Sequence, residues 1–195
     1  MERSEFYDWL VLIINDIAGD PDVRHLLSRK LEWINPDIRW EIGPGESTEY
    51  YFAFSPNLRA ELLGLTNELA ADAPKISGWE FLPAKPRKKL KRRRVKLKTA
   101  GKLHDVDYEK WEYFLTQFNN GEFFDVNIIP YGHENKDQSD LLYFSSLIVE
   151  FELGEELFIQ AVDRVNIVLP NELNCETDSI ASLNDHILTL WRSIH

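Results

Sequence analysis

Residues 111–129 read WEYFLTQFNNGEFFDVNII, and whether they form a helix or a hairpin decides the fold. Trp111, Leu115 and Phe118 recur at spacings of four and three, which suits a helix over Tyr108–Phe118. Asn119-Asn120-Gly121 argues the other way. Asparagine and glycine tolerate the left-handed backbone of a tight turn, and such a turn wants a strand on each side. Phe123–Ile129 is rich in β-branched and aromatic residues, as a strand should be. The preferred reading is a hairpin, Trp111–Phe118 followed by Phe123–Ile129.

Downstream, Asp137 or Ser139 caps a helix bearing Leu141, Leu142, Ser145, Ile148, Glu152 and Leu153, and Gly154 ends it. Leu157 to Leu169 then reads as extended, up to Pro170. The order is strand, strand, helix, strand. The same order precedes it: Ile38, Trp40 and Ile42 alternate with polar residues, Gly43-Pro44-Gly45 turns the chain, and Tyr50, Phe52 and Phe54 alternate on the return. Ser55-Pro56 is a helix start for a seam of Leu58, Leu62, Leu65 and Leu69 that Pro74 terminates, and Trp79–Ala84 is the third strand.

Two helices come before these units. Ser4 caps the first, with Phe6, Trp9, Leu10, Ile13 and Ile17 on one side and Gly19 at its end. Asp20-Pro21 opens the second, which carries Val23, Leu26, Leu27, Leu31 and Ile34 and stops before Pro36. A last helix over 180–195 is capped by Ser182 and Asp185 and presents Leu183, Ile187, Leu190 and Ile194. The polar, acidic stretch Asn171–Ser182 is expected to be a mobile linker.

The expected class is therefore α+β: two strand-strand-helix-strand units, at 36–84 and 108–170, forming a mostly antiparallel sheet with helices on one face. A basic connector over 85–107 joins them within a single domain spanning 1–195. The internal repeat rests on order and period, since the two units share negligible sequence identity. Trp33, Trp40, Trp79, Trp111 and Trp191 fall on predicted apolar faces and are expected in the core.

The connector holds the sharpest anomaly of composition. Between Lys85 and Lys98 the sequence KPRKKLKRRRVKLK places ten cations in fourteen positions, in a chain of net charge −11. Without them, twelve cations face thirty-three carboxylates, a balance near −21. Arg87, Lys88, Lys89, Lys91, Arg92, Arg93, Arg94, Lys96 and Lys98 are the candidate contacts for an anion or an acidic partner. The competing reading is a solvated connector neutralised by the acidic body, with Leu90, Val95 and Leu97 placed where a strand buries them. The run contains no aromatic residue on which a base would stack.

Other chemistry is sparse. The five histidines, His25, His104, His133, His186 and His195, show no i, i+4 pairing of metal ligands; His104 with Asp105 and Asp107, or Tyr131 with His133 and Glu134, are the assemblies that tertiary structure would have to create. There is no Gly-x-Ser-x-Gly elbow and no phosphate-binding glycine loop. Cys175, the sole cysteine, sits among acidic residues that disfavour a thiolate and excludes an internal disulfide. Glu155-Glu156 reads as exposed solubilising charge. No metal, cofactor or catalytic residue is expected. The apolar run Trp9–Ile14 is short and preceded by Glu2, Glu5 and Asp8, unlike an export signal, and no stretch is long enough to cross a bilayer. The expected setting is the reducing cytoplasm.

Asn35-Pro36-Asp37, Glu41-Ile42-Gly43-Pro44, Phe54-Ser55, Ala73-Pro74, Gly78-Trp79-Glu80, Pro86-Arg87 and Leu153-Gly154-Glu155 carry a resemblance to an uncharacterised bacterial family, a domain of unknown function, over about residues 35–170. That family tends to have a mixed loop where this chain has the basic run, and the resemblance implies no functional residues. The sequence thus points to a bacterial protein that acts by binding, with a protein partner first. An immunity-type or antitoxin-like protein, masking a basic toxin by charge complementarity, is the analogy. The alternatives are a nucleic-acid-associated protein using residues 85–98 and an enzyme with a site assembled from scattered residues.

Overall fold

A computed structural model describes residues 2–192, so Ile194 and His195 of the expected last helix lie outside the described residues. The fold is α+β, and the chain divides into two compact units between Pro86 and Arg87.

The first unit begins with helices α1 (Arg3–Ile13) and α2 (Pro21–Ile34). Glu2, not Ser4, caps α1, through a reciprocal box with Glu5, and the helix gives way to turns after Ile13. The α2 start is as expected: the Asp20 carboxylate accepts from the N–H groups of Asp22 and Val23 at 2.8 and 3.4 Å, with Pro21 in the first turn. Strands β1 (Arg39–Pro44) and β2 (Tyr50–Ser55) form the predicted antiparallel hairpin; α3 (Leu63–Asp72) crosses over; and β3 (Trp79–Leu82) returns parallel to β2. The helix starts later than Ser55-Pro56 suggests. Asn57 and Leu58 take positive φ values of 55° and 59°, so the chain turns before Ala60–Leu62 makes a 3-10 lead-in, and Leu58 is left exposed.

Register places Trp40 opposite Phe54 and Ile42 opposite Phe52, with Phe52 opposite Phe81 on the other side. These rings share one face of the sheet and join Phe6, Leu10, Leu27, Leu31 and Leu69 in one core. Trp40 and Phe52 stack 6.0 Å apart. Trp33 is an exception to the expected core: it is 69% exposed on the outer side of α2.

The second unit opens with a strap, residues 87–93, and a two-stranded hairpin, β4 (Arg94–Thr99) and β5 (Lys102–Asp107). Then come β6 (Glu112–Phe118) and β7 (Phe123–Ile129), antiparallel and in the register the Asn-Asn-Gly turn implies. Asn119, Asn120 and Gly121 all adopt positive φ. Helix α4 (Gln138–Leu153) is capped by Asp137, whose carboxylate accepts from the Ser139 N–H at 2.8 Å, and ends at Gly154 with φ 80°. The stretch after Gly154 corrects the sequence reading. It forms a second helix, α5 (Glu155–Ala161), before β8 (Val162–Ile167), because a glycine break followed by two glutamates is also a good helix start. β8 lies parallel to β7.

The expected linker 171–182 contributes β9 (Asp178–Ser179), which pairs with β6, and leads through a 3-10 turn into α6 (Leu183–Arg192). The sheet order is β8-β7-β6-β9. Tyr113, Val126 and Ile128 of the sheet pack with Phe144, Ile148 and Val149 of α4 and with Leu183 and Ile187 of α6.

The strand-strand-helix-strand order is present in the first unit and, with the second helix α5 added before the last strand, in the second, each time with an antiparallel hairpin and a parallel third strand beside its second strand. A single shared sheet is not formed. The described strands belong to three sheets of three, two and four strands, the two-stranded one lying in the segment read as a connector.

Candidate functional site

The nine candidate cations lie in the strap and on β4; the structure turns Arg87 and Arg93 inward, pairs Arg94 with Asp105 at the surface, leaves Lys88 half-buried and exposes the other five. Arg87 and Arg93 turn inward to one carboxylate. Arg93 Nε donates to Glu152 Oε1 at 2.9 Å and its Nη2 to Oε2 at 3.4 Å, while Arg87 Nη2 lies 3.5 Å from Oε2. The Glu152 side chain is only 4% exposed, so this is a buried carboxylate held between two guanidinium groups. Burial opposes the charge on Arg93, but hydrogen bonding to Glu152 and its charge outweigh it and raise the Arg93 pKa above the ordinary value. Burial, then the Glu152 charge, raises the Tyr108 hydroxyl pKa well above its usual range. Arg87 also donates to Asn184 Oδ1 at 3.2 Å, which ties the strap to α6.

Main-chain bonds complete the strap. The Lys88 N–H donates to the Phe151 carbonyl at 2.8 Å, and the Tyr108 N–H to the Arg93 carbonyl at 2.8 Å. Alternation along β4 then decides the rest: Val95 and Leu97 pack toward the core, while Arg94, Lys96 and Lys98 are exposed. Opposite them on β5 stand Asp107, Asp105 and Leu103. Arg94 clasps Asp105 with both Nε and Nη2, the former at 2.7 Å. That hydrogen bonding holds the Asp105 carboxyl below its ordinary value and raises Arg94.

Lys89, Lys91 and Arg92 stand exposed on the outer bend of the strap, next to Leu90 at 42% exposure. The outward group is therefore Lys89, Lys91, Arg92, Lys96 and Lys98, accompanied by Leu90 and by Leu103 at 61% exposure. Glu152 is the residue that sequence reasoning missed as a partner. Its signal was a charge at a position continuing the apolar seam of α4. Glu155, read as solubilising, is likewise fully buried.

The other candidates are not brought together as sites. His104 points to the buried side of its hairpin, against Phe144 and 3.0 Å from Thr99 Oγ1, whereas Asp105 and Asp107 alternate to the exposed side. His133 Nδ1 accepts from the Trp111 indole N–H at 3.3 Å, and the Glu134 carboxylate folds back on the Gly132 N–H at 2.9 Å. Among the described residues no three His, Cys, Asp or Glu side chains are grouped to hold a metal ion.

A cluster absent from the sequence reading joins Tyr113, Ser182, His186 and Asp178. The Tyr113 hydroxyl, pushed up to about 12 chiefly by burial, lies 2.8 Å from His186 Nδ1 and 3.4 Å from Ser182 Oγ. Asp178 approaches that same nitrogen at 3.6 Å. Because both partners meet one ring nitrogen, the imidazole does not bridge them as a proton relay would. The cluster pins α6 and β9 to β6. An open cleft of about 470 Å³ lies elsewhere in the unit, lined by Gln138, Ser139, Leu142, Val165, Asn166 and Ile167, with no titratable group among them. No helix among the described residues is long and apolar enough to cross a membrane.

The site belongs to an α+β protein with a basic strap clamped over a buried glutamate. No protein-family model, curated protein or solved structure matches the chain.

Proposed function

We propose that the protein acts by binding and not by catalysis, and that its partner is a protein with an acidic surface, engaged through Lys89, Lys91, Arg92, Lys96 and Lys98. The observation that carries this reading is the sorting of the basic run. Arg87, Arg93 and Arg94 are committed to Glu152 and Asp105, while Lys91, Arg92, Lys96 and Lys98 stand exposed, with exposed Leu90 and Leu103 among them in the chain and the hairpin. Cations set beside aliphatic side chains suit a protein interface, where apolar contact supplies affinity and charge supplies steering. A phosphate backbone is served less well. Asp105 and Asp107 share the exposed hairpin face with the cations, and the strip has no ring for base stacking.

The test compares the intact chain with a Lys91→Gln, Arg92→Gln, Lys96→Gln, Lys98→Gln variant in affinity capture at rising salt. The expected result is an acidic protein held by the intact chain, released by salt and lost in the variant while the melting temperature is unchanged. Equal retention by both chains overturns the reading. Recovery of RNA or DNA instead of an acidic protein, again lost in the variant, establishes the nucleic-acid alternative.

A further inference from the structure

The second unit leaves one strand edge, that of β8, less blunted than the other edges it can be compared with among the described residues. Exposed edges are commonly blunted by short length, by proline or by lysine. β9 has two residues; β1 ends in Gly43-Pro44; β3 has four residues and is followed by Pro83; β4 carries Arg94, Lys96 and Lys98. β8 has six residues with no proline, glycine or lysine. Its only charges, Asp163 and Arg164, pair with each other at 3.4 Å near its start and leave Val165, Asn166 and Ile167 uncharged.

The phase of the ladder fixes which groups face outward. Val168 N–H donates to the Ile128 carbonyl at 2.9 Å. In a parallel pair the main-chain groups alternate, so Asn166 and Val168 turn theirs toward β7, and Val165 and Ile167 turn theirs to the open edge. The side chains of Val165 and Ile167 lie on the helix-covered face, opposite Val126 and Ile128. Beside that edge is the 470 Å³ cleft, whose other wall is Gln138, Ser139 and the half-exposed Leu142 from the first turns of α4.

The geometry points to strand addition: the edge of β8 binds an extended, uncharged segment of another polypeptide, whose alternate side chains are apolar and enter the cleft beneath Leu142. The main-chain groups of Val165 and Ile167 supply hydrogen bonds that any extended segment can meet, and the cleft selects the side chains. The six residues that line the cleft carry no charge, which favours an uncharged stretch over a charged one. A second copy of this chain fits less well. It would present its own Val165 and Ile167 to the cleft, and Val165 already packs against its own core, whereas a free segment can fill 470 Å³ with larger side chains. This surface is independent of the basic strip.

The experiment selects binders to the intact protein from a displayed library of random ten-residue peptides and follows amide hydrogen exchange on binding of a synthesised winner. Expected are peptides with apolar residues at alternate positions that slow exchange at Val165 and Ile167. Their affinity should fall at least tenfold in Val165→Pro, which removes an outward N–H, and in Leu142→Asp, an exposed position that leaves the fold intact. Binding should be unchanged in the Lys91, Arg92, Lys96, Lys98 variant. Failure to enrich any peptide, protection confined to other amides, or binders indifferent to Leu142→Asp overturns the proposal. Concentration-dependent protection of the same amides without peptide overturns it in favour of a second copy.

Discussion

The two strand-strand-helix-strand units share a topology and differ in how their helix is closed. In the first, the rings of β1, β2 and β3 meet α1, α2 and α3 through a seam in which Leu62, Thr66 and Leu69 are buried and no charged side chain is. In the second, the seam of α4 runs through Phe144, Ile148 and Val149 and ends on a buried Glu152, which requires Arg87 and Arg93. A carboxylate in a core without a cation would be strongly destabilising, so this helix and the basic strap cannot be understood separately. The same architecture can be completed by hydrophobic burial alone or by burial plus a charge clamp. The clamp explains part of a cation run that composition alone leaves free for a partner.

The second unit is most sensitive in its core. Trp111→Ala, at a fully buried side chain, should cost about 3–5 kcal/mol of stability in urea unfolding. Next is the clamp: Arg93→Ala leaves Arg87, at 3.5 Å, as the cation beside Glu152 and should cost about 2–3 kcal/mol, most of which Glu152→Leu in the same chain should restore. If the double variant is no better than Arg93→Ala, the charge clamp is not what closes α4.

In the first unit, the largest polar contribution tested is a cap. Asp20→Ala should cost about 1 kcal/mol, measured by the same unfolding. Acid probes the second unit again. The folded Asp105 and Asp137 carboxyls lie below their ordinary values, so their contribution is complete above the unfolded value, about pH 3.9, and is lost as pH falls through the lower folded values. The fall in stability below pH 4 should accordingly be shallower in Asp105→Asn than in the parent chain. Smallest of all, Trp33→Ser on the exposed face of α2 should change stability by less than about 0.5 kcal/mol. A larger loss there would mean that the first unit depends on more than its apolar seam.

Much of this is legible in the sequence. The hairpin at 111–129, the Asp20-Pro21 start, the Asp137 cap and the Gly154 stop are local: a turn, a cap or a left-handed glycine acts within a few residues, so the pattern carries the answer. Other places are not legible. Leu157–Leu169 splits into helix and strand because the glutamates after Gly154 restart a helix, and apolar runs of that length suit either state. Trp33 is exposed although its type favours burial, because the partner surface for that side of α2 is not set by α2 itself. Glu155 reads as surface charge and Glu152 is left unexplained, since the cations that meet Glu152, Arg87 and Arg93, come from a segment distant in the chain.

Local pattern in the chain is enough for the α+β class, the two hairpins with their following helices, and the location of the cations; the β4–β5 hairpin, α5 and β9 are not among the elements it gives. Tertiary structure alone decided that the strands separate into three sheets, that Arg87 and Arg93 face inward while Lys91, Arg92, Lys96 and Lys98 face outward, and that β8 keeps an open edge beside a cleft. The division follows from range. Period and turn chemistry are fixed by neighbours in the chain, whereas the direction in which a charge turns depends on a carboxylate about sixty residues away that only folding brings within 3 Å.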